Sequence, residues 1–317
     1  MIETSSRPTG ASSLTDEVRA QLARGEAVLQ SAPAMLRHLV TGEFGALFAD
    51  DVLARVRGMI AHLADQLALA VSREYGRGGA LPSGISARVI AGDLAADSTI
   101  LSHLHAVALE WQLSERLETR FGLDPVVAPL VQSLVSSWQD EAQALAAQLI
   151  AAQARWCQAQ RRMELPLAEL PADVLHAALL ALRAQAGGEN AWALAAEASL
   201  RGGFDEAAGR LALAARLVTS LGARATSSLS ILDGGVALFL SALSHCAAIS
   251  REAAVLTVQE TQAVRLVLQL RRAGLSAERA LEQAVVLHPD AALPVELNLL
   301  NDRQIGEILA RRSCADE

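Results

Sequence analysis

An all-α fold of stacked helical hairpins is what this sequence predicts, on three observations. Hydrophobic residues make up 52 % of the 317, yet only 3 % are aromatic. Ala, Leu and Val therefore carry the apolar content, which favours closely packed helices over a sheet. Apolar positions recur at helical spacing from Thr15 onward, whereas turn residues are sparse and strand-like alternation never recurs regularly. A chain of this length buries enough core to fold unaided, as one large or two modest domains.

Residues 1–14, rich in Ser, Thr, Gly and Pro, read as a flexible lead-in. Thr15 then offers a cap, and acids follow in the first turn, where they suit the positive end of a helix dipole. The clearest helix of the first half is "ADDVLARVRGMIAHLADQLALAVSREYG". Val52, Val56, Met59, Leu63, Leu67 and Ala70 form its apolar stripe, with Arg55, His62, Asp65, Gln66 and Arg73 on other sides,. "GRGGALPSG" at 76–84 reads as a loop,. A second long helix runs through "AADSTILSHLHAVALEWQLSERLETRFG", striped by Ile100, Leu104, Val107 and Trp111 and stopped at Gly122,. "DPVVAPLVQSLVSSW" and "DEAQALAAQLIAAQARWCQAQRRM" continue the series. Pro166 and Pro171 then mark a boundary between an amino-terminal helical region, 15–165, and a carboxy-terminal repeat-like region, 171–313,.

The second region reads as shorter helices, each with a polar or glycine start and an apolar interior. "LRGGFDEAAGRL" (200–211) over "LDGGVALFLSAL" (232–243) aligns Leu, Gly, Gly and a later Leu at a shift of 32 residues. A helix-pair repeat gives such a shift, and its units are stable only when stacked.

All 27 basic residues are arginines. Lysine Schiff-base chemistry and a Walker-type lysine on a phosphate are thereby excluded. A formal charge of −8 and a pI near 5.4 argue against a general nucleic-acid binder,. Cys157, Cys246 and Cys314 are too widely spaced for a disulfide framework or a metal knuckle,. The amino terminus lacks a basic segment followed by an apolar core, so it does not read as a secretory signal, and the cytoplasm is the expected compartment.

The segment "SILDGGVALFLSALSHCAAISREAAVLTVQETQAVRLVLQLRRAGLSAERAL" resembles the Domain of Unknown Function 2336 family of mostly alphaproteobacterial proteins. The matching residues are Asp233, Gly234, Leu238, Phe239, Ala242, Leu243, Arg272, Ala273, Gly274 and Leu275. "ADDVLARVRGMIAHLADQLA" and "ARWCQAQRRMELPLAELPADVLHAALLALRAQAG" are similar to its longer members, so the likeness spans most of 35–290. It implies a HEAT-like helical fold in a bacterial cytoplasmic protein and supplies no catalytic residues.

Each chemically suggestive group has a plainer structural explanation. The Asp233-Gly234-Gly235 step is led by an acid where a phosphate loop wants a cation, so a capping carboxylate is expected. The uncharged run that follows, Gly234 to Ser250, falls short of the ~20 residues of a spanning helix. His245 and Cys246, adjacent on a helix, point about 100° apart. His103 and His105 fall on nearly opposite sides of theirs, whereas His103 and Glu110 share a face, expected to be solvated or locally hydrogen-bonded. Asp50 and Asp51 lack the third acid a magnesium–diphosphate site requires. Capping and an Asp51–Arg55 pair account for them. Arg161-Arg162, Arg271-Arg272 and Arg311-Arg312 lie near helix ends, where basic residues suit the dipole. Two such clusters brought together would hold an acidic partner or a phosphorylated peptide.

The function expected from this pattern is that of a non-catalytic, soluble helical scaffold or adaptor. It has no metal, no cofactor and no membrane span, and it binds a protein partner or a second copy of itself. The alternative is a helical small-molecule-binding protein or enzyme with an apolar pocket and an acidic/His face of Asp50, Asp51, His103 and Glu110.

Overall fold

The predicted stripes fold as helices. A computed structural model describes residues 10–41, 50–75, 85–137, 140–186 and 190–310, all-α and without a strand among them. The first seven helices are α1 (Gly10–Thr41), α2 (Asp50–Tyr75), α3 (Ala87–Ala96), α4 (Ser98–Phe121), α5 (Pro129–Val135), α6 (Asp140–Arg161) and α7 (Ala172–Gln185). They are followed by α8 (Ala191–Gly202), α9 (Arg210–Ser220), α10 (Ile231–Ala247), α11 (Arg251–Thr257), α12 (Ala263–Arg272), α13 (Ala277–Leu287) and α14 (Asp302–Ala310). Short 3₁₀ turns join several of them. The loop expected at 76–84, Arg311, Arg312, Cys314 and residues 1–9 lie outside the described residues. Because α1 opens at Gly10, residues 10–14 belong to a helix rather than to a lead-in.

Two compact units divide the chain, one of Met1–Ser31 with Leu243–Glu317, the other Ala32–Ala242. The division passes through α1 just before Pro33, which removes a helical donor there, and through α10,. Pro166 and Pro171 lie inside the second unit, framing the 3₁₀ turn Leu167–Glu169. A side-chain amide holds this stretch. Gln66 of α2 donates to the Leu165 carbonyl at 3.0 Å and accepts from the Leu167 N–H at 2.9 Å, satisfying extended backbone as a neighbouring strand would,.

In the second unit α2 packs on α3, α4 and α8, and α6 packs on α5 and α9. The stripe Val52, Val56, Met59, Leu63, Leu67 and Ala70 is buried as its spacing predicts, and so are Ile100, Leu104, Val107 and Trp111 of α4. Asp97 caps α4 by accepting from the N–H groups of Thr99 and Ile100, and Gly122 ends it in the left-handed region at φ +65°,. From His103 to Trp111 every residue of α4 is buried, so this helix is enclosed on all sides,. The starts of α7 and α9 cap each other. Glu169, just before α7, accepts from the Arg210 N–H at 3.2 Å, and Glu206, just before α9, accepts from the Ala172 N–H at 3.1 Å.

The glycine pairs aligned at a shift of 32 residues hold different places. Gly202 and Gly203 close α8, whereas Gly234 and Gly235 lie in the opening of α10. There Asp233 occupies the first turn and accepts from the Ser230 hydroxyl at 2.6 Å, and the helix breaks two residues later at Gly235 (φ +68°, ψ 170°). A Cβ on Gly234 would sit 2.6 Å from the Ser228 carbonyl oxygen, and one on Gly235 2.6 Å from the Ala128 Cβ. Close backbone packing, more than relief of a capped turn, requires both glycines. Among the described residues no single helix is long and apolar enough to cross a membrane. The bent pair Gly222–Leu229 and Ile231–Ala247 passes only when taken together, across a 117° bend.

In the first unit α12 is central, with Leu266 to Leu270 buried, and it packs on α13 and α14. Gln262 donates to the Gly25 carbonyl of α1 at 2.9 Å, and Arg265 pairs with Glu26. Gly274 (φ 101°) follows α12, and Ser276 caps α13 by accepting from the Arg279 N–H,.

Candidate functional site

Glu110 and Arg210 meet in the interior of the second unit. Glu110 stands on the enclosed part of α4 and Arg210 is the first residue of α9. The pair is bidentate, Nη1 to Oε1 at 2.5 Å and Nη2 to Oε2 at 3.2 Å, with both side chains at most 3 % exposed. Gln153 of α6 accepts a longer contact from Arg210 at 3.5 Å and donates to the Pro125 carbonyl at 2.9 Å. The Arg210 guanidinium also lies 4.1 Å from the centre of the Trp156 ring. A buried carboxylate is tolerable only with such charge-assisted partners, and the fork of arginine matches it.

A second arginine enters from the other side. Arg55, expected off the apolar stripe of α2, is buried. It donates to the Gln160 carbonyl, stands 5.1 Å from the Trp111 ring and keeps a 3.8 Å contact with Asp51. Trp111 and Trp156 meet edge to face at 5.7 Å, so the interior holds the series Arg55, Trp111, Trp156, Arg210. Such contacts favour a cation over a ring face and an offset between rings.

Neighbouring ionisable groups are shifted toward neutrality. Burial pushes the Cys157 thiol up to about 11, with Arg210 and Arg161 pulling weakly the other way, so it is protonated at neutral pH and a poor nucleophile,. In the first unit, burial likewise raises the thiol of Cys246. It lowers His105 from its ordinary 6.5 to about 4, keeping the imidazole neutral inside α4. As pH falls from about 6.5 to about 4, the unfolded chain takes up a proton that the folded chain refuses. Stability present at neutral pH is therefore lost across that window, by up to about 3 kcal/mol. Urea midpoints at pH 7 and pH 4.5 should separate more in the native chain than in His105→Phe. Equal separations would refute the assignment.

The other candidates are dispersed. Asp50 and Asp51 are exposed in the first turn of α2, where acids suit the dipole,. His103 and Glu110 do share a face, but it is buried, not solvated, because α4 is enclosed. Arg161 and Arg162 are exposed, and Arg162 pairs with Glu164 at 2.8 Å. Arg271 bonds Asp302 at 3.1 Å, while Arg272 is exposed. The first arginine pair belongs to the second unit and the other to the first. Among the described residues no group of three or more His, Cys, Asp and Glu could hold a metal ion.

Arg210, Gln153 and Trp156 were not singled out from sequence. A signal existed for Arg210, since it falls in register with Leu213, Ala214, Leu217 and Val218 on the apolar stripe of α9. Also unforeseen is Glu197, which joins α7 to α8 by bonds to Arg183 (2.5 Å) and Arg201 (2.9 Å). Burial raises the Glu197 carboxyl, but its two arginines outweigh that and hold it below the usual value.

Open apolar grooves are the remaining candidates. One, of about 430 Å³ in the second unit, is lined by Leu69, Leu175, Leu200 and Phe204 beside Gln66 and Arg73. Another, of about 680 Å³ in the first unit, runs along α13 past Asn298. None of the sequence-predicted candidates lines either groove. Comparison with protein-family models, with curated proteins and with solved structures found no match.

Proposed function

We propose that the chain is a non-catalytic helical scaffold that binds a protein partner through its helix surfaces, in a signalling or regulatory setting. Support comes above all from the fate of Glu110, the best acid–base candidate. Its carboxylate is gripped by Arg210 with both side chains at most 3 % exposed, so it holds helices together where no substrate reaches it,. The most perturbed groups nearby, His105 and Cys157, are shifted toward neutrality by burial alone or chiefly so, which is the signature of core packing,. Open grooves with half-exposed Leu69 and Val285 fit an interaction surface,. The HEAT-like stacking and the bacterial cytoplasmic setting belong to this proposal on the resemblance over 35–290.

Affinity capture of the full chain from its native cells, with proteins and small molecules both identified, tests the proposal. A stoichiometric protein partner is expected. A co-purifying small molecule with no partner protein would overturn it.

A further inference from the structure

We infer that the groove along α13 takes a basic amphipathic helix of a partner protein. The inference rests on the scaffold proposal and deepens it by naming the partner's chemistry. Two faces of α13 are distinct. Ala280, Ala284 and Leu287 are buried on one side, and α13 packs on α12. Glu278, Leu281, Glu282 and Val285 follow at intervals of three, one and three residues, which makes them a second stripe on the same helix,. That stripe lines the groove with Ala277, Val286 and Asn298, and its volume is about 680 Å³.

The floor is largely apolar. Within it Val285 is 53 % exposed. A helix laid into such a groove buries residues at i, i+3 or i+4 and i+7, the spacing that the stripe on α13 itself presents. Charge selects among helices. Glu278 and Glu282 stand one turn apart at the groove, and among the described residues none that lines it is basic. A partner carrying Arg or Lys beside its apolar stripe is attracted, and one carrying acids there is repelled.

The test uses the folded full chain and two fluorescent helical peptides with the same leucine stripe, one flanked by arginines and the other by glutamates. Anisotropy at physiological salt should show binding of the Leu/Arg peptide and none of the Leu/Glu peptide. V285D should weaken the Leu/Arg peptide about tenfold or more, because an apolar contact of this size is worth that ratio. V285D adds negative charge, so the loss would not be electrostatic. L194D, on the other unit, should leave binding unchanged. The double change E278R/E282R should reverse the preference toward the Leu/Glu peptide, and it stands as the second variant should V285D fold poorly.

Equal effects of V285D and L194D, or no binding of the Leu/Arg peptide, would overturn the inference. So would a dimer of this chain abolished by V285D, or binding to anionic vesicles in place of peptide. A captured partner protein equally retained by V285D would refute the groove and leave the scaffold standing. Capture of no partner by the native chain would refute the scaffold itself.

Discussion

Arg210→Met is expected to destabilise the second unit by about 3–5 kcal/mol, the usual loss when one member of a buried ion pair is removed. Glu110 would keep its place on the enclosed face of α4 but lose both guanidinium bonds. Trp156 would lose the cation over its ring at the same time. The informative comparison is with Glu110→Leu/Arg210→Met. Replacing both charges by apolar side chains of similar volume removes the desolvation penalty with the attraction, so the double variant should be more stable than either single one. All four tryptophans belong to Ala32–Ala242, so their fluorescence during urea unfolding reads this unit directly. Additive losses in the double variant would mean that the two side chains are not an energetic unit.

The second large effect is expected at Gly235. Its φ of +68° with ψ of 170° lies in a region essentially confined to glycine, and holding another residue there requires about 1–3 kcal/mol. The added methyl of Gly235→Ala would also press on the Ala128 Cβ at 2.6 Å, an overpacking worth about 1–3 kcal/mol. Ala128→Gly separates the two contributions. In the Gly235→Ala background it should restore the overpacking part and leave the backbone part. A Gly235→Ala variant within about 0.5 kcal/mol of native would show that the break in α10 relaxes freely.

Much of the fold was legible because long helices repeat their pattern. The stripe of α2 spans five turns, and the residues chosen from it are buried. Gly122 marks the end of α4 in the sequence, whereas the Asp97 cap at its start emerges only from the structure. Short elements offered no such repetition. α3, with Ile90 and Leu94 as its principal apolar anchors, and α11, of seven residues, were not read as separate helices. α9 begins only at Arg210, after a 3₁₀ turn over Glu206–Ala208 that helical spacing does not foretell.

The interior charges were half legible. Glu110 and His103 share a face in any helix, and spacing alone finds that. Whether the face meets water depends on what surrounds α4: α3 precedes it directly, but α2 and α7 come from farther along the chain, and spacing within α4 does not foretell them. Glu110 and Arg210 are 100 residues apart, and nothing local tells an acid on one stripe which arginine it will meet.

The crossed caps of α7 and α9 carry a consequence for how the second unit opens. Each helix start depends on a carboxylate that the chain places only when the other helix start is formed. Fraying of either end strips a cap from both, so the two ends should loosen in one step and close in one step. Residues 166–172 and 205–210 thereby form a single latch within the molecule's spectrum of partial openings, and native-state hydrogen exchange would see the backbone of both strips released together.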